Sequence, residues 1–121
     1  MGERESEKIS AAKAAATAWL ATVDKGDYAT SWQNAAELLR NAASEAQFAR
    51  SLDSALGSFG PTIRRTILNS SYRTELPGAP DGEYVVIQFS TSFENKKEAV
   101  ETVTPMLEAD GTWRVSGYYV K

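Results

Sequence analysis

The chain has 121 residues, of which 42% are hydrophobic and 24% charged, and a net charge of −3, which is the composition of one globular domain of ordinary size. It contains no cysteine and no histidine, which excludes disulfide bonds, thiol nucleophiles, Ser-His-Asp triads and zinc sites built on those residues. The mild acidity argues against a nucleic-acid partner, and no apolar run is long enough to span a membrane.

The chain opens with a charged stretch that we expect to be a disordered tail over residues 1–5. Ser6 is a candidate N-cap for the first helix. Apolar residues then recur at steps of three and four from Ile9 to Val23, which predicts one buried helical stripe. Gly26 is suited to the left-handed position that ends such a helix.

Two further helices are predicted in the first half of the chain. Asp27 is positioned to cap the second, whose apolar stripe continues to Leu39. Ser44 and Gln47 have the spacing of a capping box for the third, and Gly57 marks its end.

The second half of the chain predicts four β-strands joined by short turns. The predicted strands are 62–73, 83–93, 98–107 and 112–120, and the turns are 77–82, 94–97 and Asp110–Gly111. Helices followed by an antiparallel meander indicate a single α+β domain, with three helices packed on one face of a four-stranded sheet.

Turn lengths decide which strand residues face the helices. A two-residue turn at Asp110–Gly111 sets Thr104 opposite Gly117, and a turn at 94–97 sets Phe89 opposite Thr102. The predicted inner face is Val85, Ile87, Phe89, Phe93, Val100, Met106, Trp113, Val115 and Tyr119. The predicted outer face is Tyr84, Val86, Gln88, Ser90, Glu101, Val103, Leu107, Arg114, Tyr118 and Val120.

Four blocks of the sequence carry a family resemblance: residues 18–32, 76–96, 101–104 and 110–120. They resemble a bacterial family of small exported proteins of unknown function. The strand-rich half is similar to the cystatin-like superfamily, which includes nuclear-transport-factor-like domains. The resemblance implies a cystatin-like fold and a periplasmic or secreted location, and it supplies no catalytic residue.

Aromatic side chains define a candidate ligand pocket between the helices and the sheet. They are Trp19, Tyr28 and Trp32 on the helices and Tyr119 on the predicted inner face. Aromatics on such stripes are usually core residues. The alternative is a lining for a small apolar ligand, in the cone-shaped cavity that the superfamily resemblance implies.

Arg65 is the charged candidate for the same pocket. Strand alternation sends Arg64 and Arg65 to opposite faces, so that one arginine points toward the helices unless both are solvated at a sheet edge. A buried arginine requires a carboxylate or an anionic ligand, and Asp24, Asp27 and Asp53 are the available carboxylates.

The candidate protein interface lies on the predicted outer face of the sheet. Tyr84, Val86, Val103, Leu107 and Tyr118 would form an apolar patch there that no helix covers. A second copy of the chain is the simplest partner for such a patch, and the alternative is a monomer whose patch is broken by polar residues.

Three functions are compatible with this sequence. The first is a non-catalytic module that binds a small apolar ligand or a protein, and another is a structural dimerisation domain. The remaining alternative is an isomerase or lyase that uses a carboxylate and a tyrosine. The register argues against the last, because it places Glu101 on the outer face, away from Tyr119. We assign no catalytic residue, metal ligand or cofactor.

Overall fold

The computed structural model describes residues 2–121, which form four helices followed by four strands. The helices are α1 (Gly2–Asp24), α2 (Tyr28–Gln33), α3 (Glu37–Ala42) and α4 (Glu45–Leu56). The strands are β1 (Thr62–Arg73), β2 (Tyr84–Phe93), β3 (Lys96–Leu107) and β4 (Trp113–Val120). The α+β prediction is confirmed, with the helices packed on one face of the sheet.

Helix α1 begins earlier than the sequence predicts. It starts at Gly2, so Ser6 lies inside the helix and does not cap it, and the predicted tail is helical from residue 2. Met1 lies outside the described residues. Acidic side chains near a helix N-terminus, such as Glu5, stabilise it through the helix dipole. The end of α1 is as predicted, with Gly26 at a φ of 74°.

The predicted second helix is two short helices, α2 and α3. Asp27 caps α2 as predicted, accepting a hydrogen bond from the Thr30 N–H at 3.1 Å. The chain leaves the helix after Asn34, and Ala36 adopts an extended conformation. The Ala36 N–H donates to the Val115 carbonyl of β4 at 2.8 Å. This tertiary hydrogen bond accounts for a break that the apolar periodicity does not reveal.

The four strands form an antiparallel meander in the order β1-β2-β3-β4, as predicted, but the register between β2 and β3 differs. The turn is only Glu94–Asn95, because Phe93 pairs with Lys96. Phe89 consequently lies opposite Glu101 instead of Thr102. A slip of one residue exchanges the two faces of a strand. The assignment of β3 is therefore inverted, and its odd-numbered residues face the helices.

The β3–β4 connection contains two irregularities that shift the pairing of the strands in opposite directions. The loop is longer than predicted, because the Glu108 N–H bonds to the Thr112 carbonyl and Gly111 has a φ of 83°. A β-bulge then places Ser116 as an extra residue between the Thr104–Gly117 and Pro105–Val115 pairs.

The bulge restores the predicted Thr104–Gly117 pair but changes the faces of β4. Val115 and Tyr118 both lie on the inner side, although their positions differ by three, an odd number. Tyr118 pairs with the buried Val103, whereas Tyr119 pairs with Thr102 and is 53% exposed. The prediction that Tyr119 faces the helices is wrong, and Tyr118 takes that role.

The core fills the space between α1 and the sheet. Ala12 and Ala16 are fully buried and let α1 approach the strands closely. Trp19 fills the centre, with its ring 6.2 Å from Phe48 of α4 and 5.4 Å from Tyr118. The remaining fully or nearly buried core residues are Leu20, Val23, Ala35, Leu39, Leu52, Val85, Ile87, Phe89, Val103 and Val115.

The outer face of the sheet lacks the apolar patch that was predicted for it. Val103 faces the helices with Tyr118, and Leu107 shares that face of β3. Tyr84 is 1% exposed, and its hydroxyl donates to the Pro80 carbonyl of the preceding loop. Tyr84, covered by that loop, and the half-buried Val86 are the two residues of the predicted interface that remain on the outer face. Within residues 2–121 no helix is long and apolar enough to cross a membrane.

Candidate functional site

Glu101 of β3 is the centre of a buried polar cluster on the inner face of the sheet. Each strand contributes one side chain to it: Arg65 from β1, Thr91 from β2, Glu101 from β3 and Tyr118 from β4. Asp24, at the end of α1, completes the cluster from the helical layer. The β2–β3 register creates the site, because it turns Glu101 toward the helices.

Both oxygens of the Glu101 carboxylate accept hydrogen bonds. Oε1 accepts from Arg65 Nε at 2.7 Å and from Thr91 Oγ1 at 2.6 Å. Oε2 accepts from the Tyr118 hydroxyl at 2.5 Å. The Glu101 side chain is 0% exposed, so these donors replace the water that an ionised carboxylate requires. The arrangement is a satisfied ion pair with two supporting hydroxyl groups.

Arg65 bridges two carboxylates and joins the sheet to α1. Its Nη1 and Nη2 donate to the two oxygens of Asp24 at 2.8 and 2.9 Å, a bidentate geometry that suits the planar guanidinium group. Burial by itself lowers the pKa of Arg65, but the hydrogen bonds to Asp24 and Glu101 outweigh burial and raise that pKa above its ordinary value. Arg65 is therefore a permanent cation within this cluster.

Tyr118 is held in its protonated form. Burial and the adjacent negative charge of Glu101 raise the pKa of the Tyr118 hydroxyl well above its ordinary range. A neutral hydroxyl is what the Glu101 carboxylate needs as a hydrogen-bond donor. Glu101 and Tyr118 are thus a carboxylate and a tyrosine in direct contact, which are the residue types that the isomerase alternative requires. They lie on the helical side of the sheet, where a pocket would lie.

The free volume beside Glu101 is small. A cavity of about 100 Å³ is lined by Asp24, Tyr28, Phe93 and Glu101, among others. Ligand pockets usually measure about 300–1,000 Å³. This cavity is therefore too small for an apolar ligand of ordinary size.

The structure separates the residues predicted to line one pocket. Trp19 is buried, and its Nε1 donates to the Ser31 carbonyl at 2.8 Å. Trp32 is half-buried, and its Nε1 donates to the Ala43 carbonyl at 2.8 Å. Tyr28 and Arg65 lie near the small cavity and the Glu101 cluster, whereas Tyr119 is on the opposite face of the sheet. The core interpretation therefore fits the two tryptophans.

Sequence reasoning found one half of the cluster and missed the other. The requirement that a buried arginine has a carboxylate partner is confirmed, with Asp24 as one of the expected partners. Glu101 and Tyr118 were missed because the predicted registers placed both on the outer face, and Thr91 was not considered. A signal was present: an ionisable residue amid the apolar residues of a central strand needs a buried partner, and Arg65 was a candidate.

The chain was compared with known proteins and structures. A family model described as "Protein of unknown function (DUF4019)" matches residues 15–118. A structure from Catenulispora acidiphila has a TM-score of 0.62 and 11% sequence identity, and it covers 98% of this chain and 93% of its own. That similarity indicates a shared fold, and no match was found among curated proteins. Because the family model spans most of the chain, the protein belongs to the DUF4019 family of proteins of unknown function.

Proposed function

We propose that this domain is a non-catalytic interaction module that pairs with a second copy of itself through the free edge of β1. One observation carries the proposal. Four large hydrophobic side chains are exposed in residues 2–121, and three belong to β1: Ile63 at 61%, Ile67 at 42% and Leu68 at 54%. Large apolar residues concentrated on one strand are typical of a surface that a partner covers.

Strand β1 also has unpaired main-chain groups along one edge. It is the first strand in the sheet order and pairs only with β2. Its 12 residues extend over about 40 Å at roughly 3.3 Å per residue. An exposed strand edge is a template for pairing with another strand. The bulge between Ile67 and Asn69 interrupts this edge, so we expect pairing that is reversible.

The charges of β1 can be accommodated in a pair of identical strands. In an antiparallel pair of β1 strands with Ile67 opposite Leu68, Arg64 lies opposite Ser71 and Arg65 opposite Ser70. Arg73 lies opposite Thr62 in the same register. Like charges are therefore not opposed across the two-fold axis, a condition for a stable cross-strand pair.

Sedimentation velocity over a range of protein concentrations tests this proposal. We expect reversible dimers at tens of micromolar, corresponding to about −6 kcal/mol of association free energy. An Ile67→Lys, Leu68→Lys variant should be monomeric. Tyr119→Lys is the matched control, because Tyr119 is similarly exposed but lies on the outer face of β4. A wild type that remains monomeric, or a control that dissociates while the β1 variant does not, contradicts the proposal.

The contact between Glu101 and Tyr118 supports a second candidate function, acid–base catalysis of the isomerase or lyase type. It is the weaker candidate for two reasons: both Glu101 oxygens are occupied, and the adjacent cavity is small. A crystal structure of protein isolated from its source organism tests it. A carbonyl-bearing molecule within about 3 Å of the Tyr118 hydroxyl would establish this function over the first.

A further inference from the structure

A groove on the helical side of the protein lies where α1, the end of α2 and the start of β4 meet. Its volume is about 400 Å³, within the usual range for small-molecule sites. It is separate from both the Glu101 cluster and the β1 edge. Its lining includes Trp19, Gln33, Asn34, Thr112, Trp113 and Arg114.

Trp113 is the tryptophan whose indole N–H has no partner among residues 2–121. Trp19 and Trp32 donate theirs to main-chain carbonyls at 2.8 Å. Trp113 donates to no acceptor within residues 2–121, and no unpartnered polar side-chain atom in that part of the chain is buried. Its indole nitrogen is therefore accessible, while part of the ring packs against the core. A rigid aromatic surface with a free donor is thus presented to the groove.

Neutral polar groups surround Trp113. The exposed Asn34 side chain has no hydrogen bond within the described residues, and Gln33 has only a long 3.4 Å contact with Glu45. Thr112 contributes an exposed hydroxyl group. Amide and hydroxyl groups both donate and accept hydrogen bonds, so they match a ligand whose own groups do the same.

The cation beside the groove is already neutralised. Arg114 Nη1 contacts Glu108 at 2.7 Å and Asp110 at 3.0 Å. With two carboxylates on one guanidinium group, this position does not attract an anion. The electrostatics consequently favour an uncharged ligand.

We propose that this groove binds a neutral saccharide. A sugar ring has an apolar face that can lie against an indole, and its hydroxyl groups can both donate to and accept from Asn34, Gln33 and Thr112. The indole N–H of Trp113 supplies a further donor to a ring or hydroxyl oxygen. This inference is independent of pairing through β1, which involves the other edge of the sheet.

Nitrogen-15 NMR can test the proposal with the three indole N–H signals as internal reporters. The probes are maltotriose, cellotriose and chitotriose, each added up to about 10 mM, a range that detects binding weaker than −4 kcal/mol. We expect at least one probe to shift the Trp113 indole signal with saturation, and the Trp32 signal, which comes from outside the groove, to remain in place.

Two variants distinguish the groove from adventitious contact. Asn34→Ala should weaken saccharide binding about three- to tenfold, as expected for the loss of one hydrogen bond. Asn69→Ala is the matched control, because it removes another exposed amide that lies on β1, and it should leave the affinity unchanged. The proposal is overturned if no probe moves the Trp113 signal, if the Trp32 signal moves as far as the Trp113 signal, if the two variants weaken binding equally, or if a trigalacturonate probe binds better than the neutral sugars.

Discussion

The inner face of the sheet has two regions that are stabilised in different ways. Around Phe89 and Val85, strand residues bury apolar surface against α1. Around Glu101, the same sheet face buries an ion pair with its supporting hydroxyl groups. Apolar packing gains free energy roughly in proportion to area, whereas a buried charge is tolerated only while its partners are complete. Mutations should therefore have graded effects in the first region and partner-dependent effects in the second.

The largest effect is expected from the apolar region. Phe89 is 2% exposed at the centre of the core, and Phe89→Ala removes its packing and leaves a cavity. We expect a loss of about 3–5 kcal/mol in the free energy of unfolding. Chemical denaturation measures it, and a loss below about 1 kcal/mol, as for an ordinary surface position, would show that this strand face is not the core.

The next effect tests the partner dependence of the polar region. Arg65→Met leaves Glu101 buried without its cation. We expect the free energy of unfolding to fall by about 3 kcal/mol, the lower end of what breaking a buried ion pair costs, because Arg65 retains 15% exposure. Adding Glu101→Gln removes the unpaired charge and should restore at least half of that loss. If the two substitutions change the free energy of unfolding additively in denaturation experiments, Arg65 and Glu101 are not coupled. The polar region then does not depend on complete partners, as proposed here.

Tyr118 gives the polar region a dependence on pH. Its pKa is raised in the folded protein, so above about pH 10 the unfolded chain releases this proton while the folded protein keeps it. The free energy of unfolding should therefore fall as the pH rises above that value, and Tyr118→Phe should reduce the slope. Tyr119→Phe, one residue away on the outer face, is the control. Equal slopes for wild type and Tyr118→Phe in alkaline denaturation would contradict the expectation.

The smallest effect is expected on the opposite side of the same strand. Gln88 alternates with Phe89 and lies on the outer face, where it contacts Asn69 at 3.0 Å. Gln88→Ala should change the free energy of unfolding by less than about 0.5 kcal/mol. A cost greater than that of Phe89→Ala, measured in the same denaturation series, would mean that the two faces of β2 are exchanged.

Local signals predicted the caps at Asp27 and Ser44 and the faces of β2 correctly, and long-range contacts decided most of what was missed. The Ser44–Gln47 capping box is present in the structure, because capping depends only on residues three apart. Val85, Ile87 and Phe89 alternate regularly, and their burial follows from that pattern. The faces of β3 depended instead on whether the preceding turn has two residues or four. The sequence "ENKK" contains no glycine that would indicate the shorter turn.

The candidate site was harder to predict because it combines one residue from every strand. Arg65 was identified by its own chemistry, since a buried guanidinium group requires carboxylates. The place of Glu101 depended on the β2–β3 turn, and that of Tyr118 on the bulge at Ser116. A bulge has no sequence signature as short as a cap or a glycine turn. Two single-residue shifts thus separated the predicted site from the observed one.

Trp19 also has a consequence for how this fold could acquire a pocket. The space between α1 and the sheet is occupied by an indole ring of the chain itself, wedged between Phe48 and Tyr118. A small residue at this position would leave an apolar void bordered by aromatic rings, and apolar voids of about 150 Å³ remain dry and accept molecules the size of benzene. A single side chain can thus separate a filled core from one that accepts a ligand, and Tyr118 would lie at the wall of the opened space.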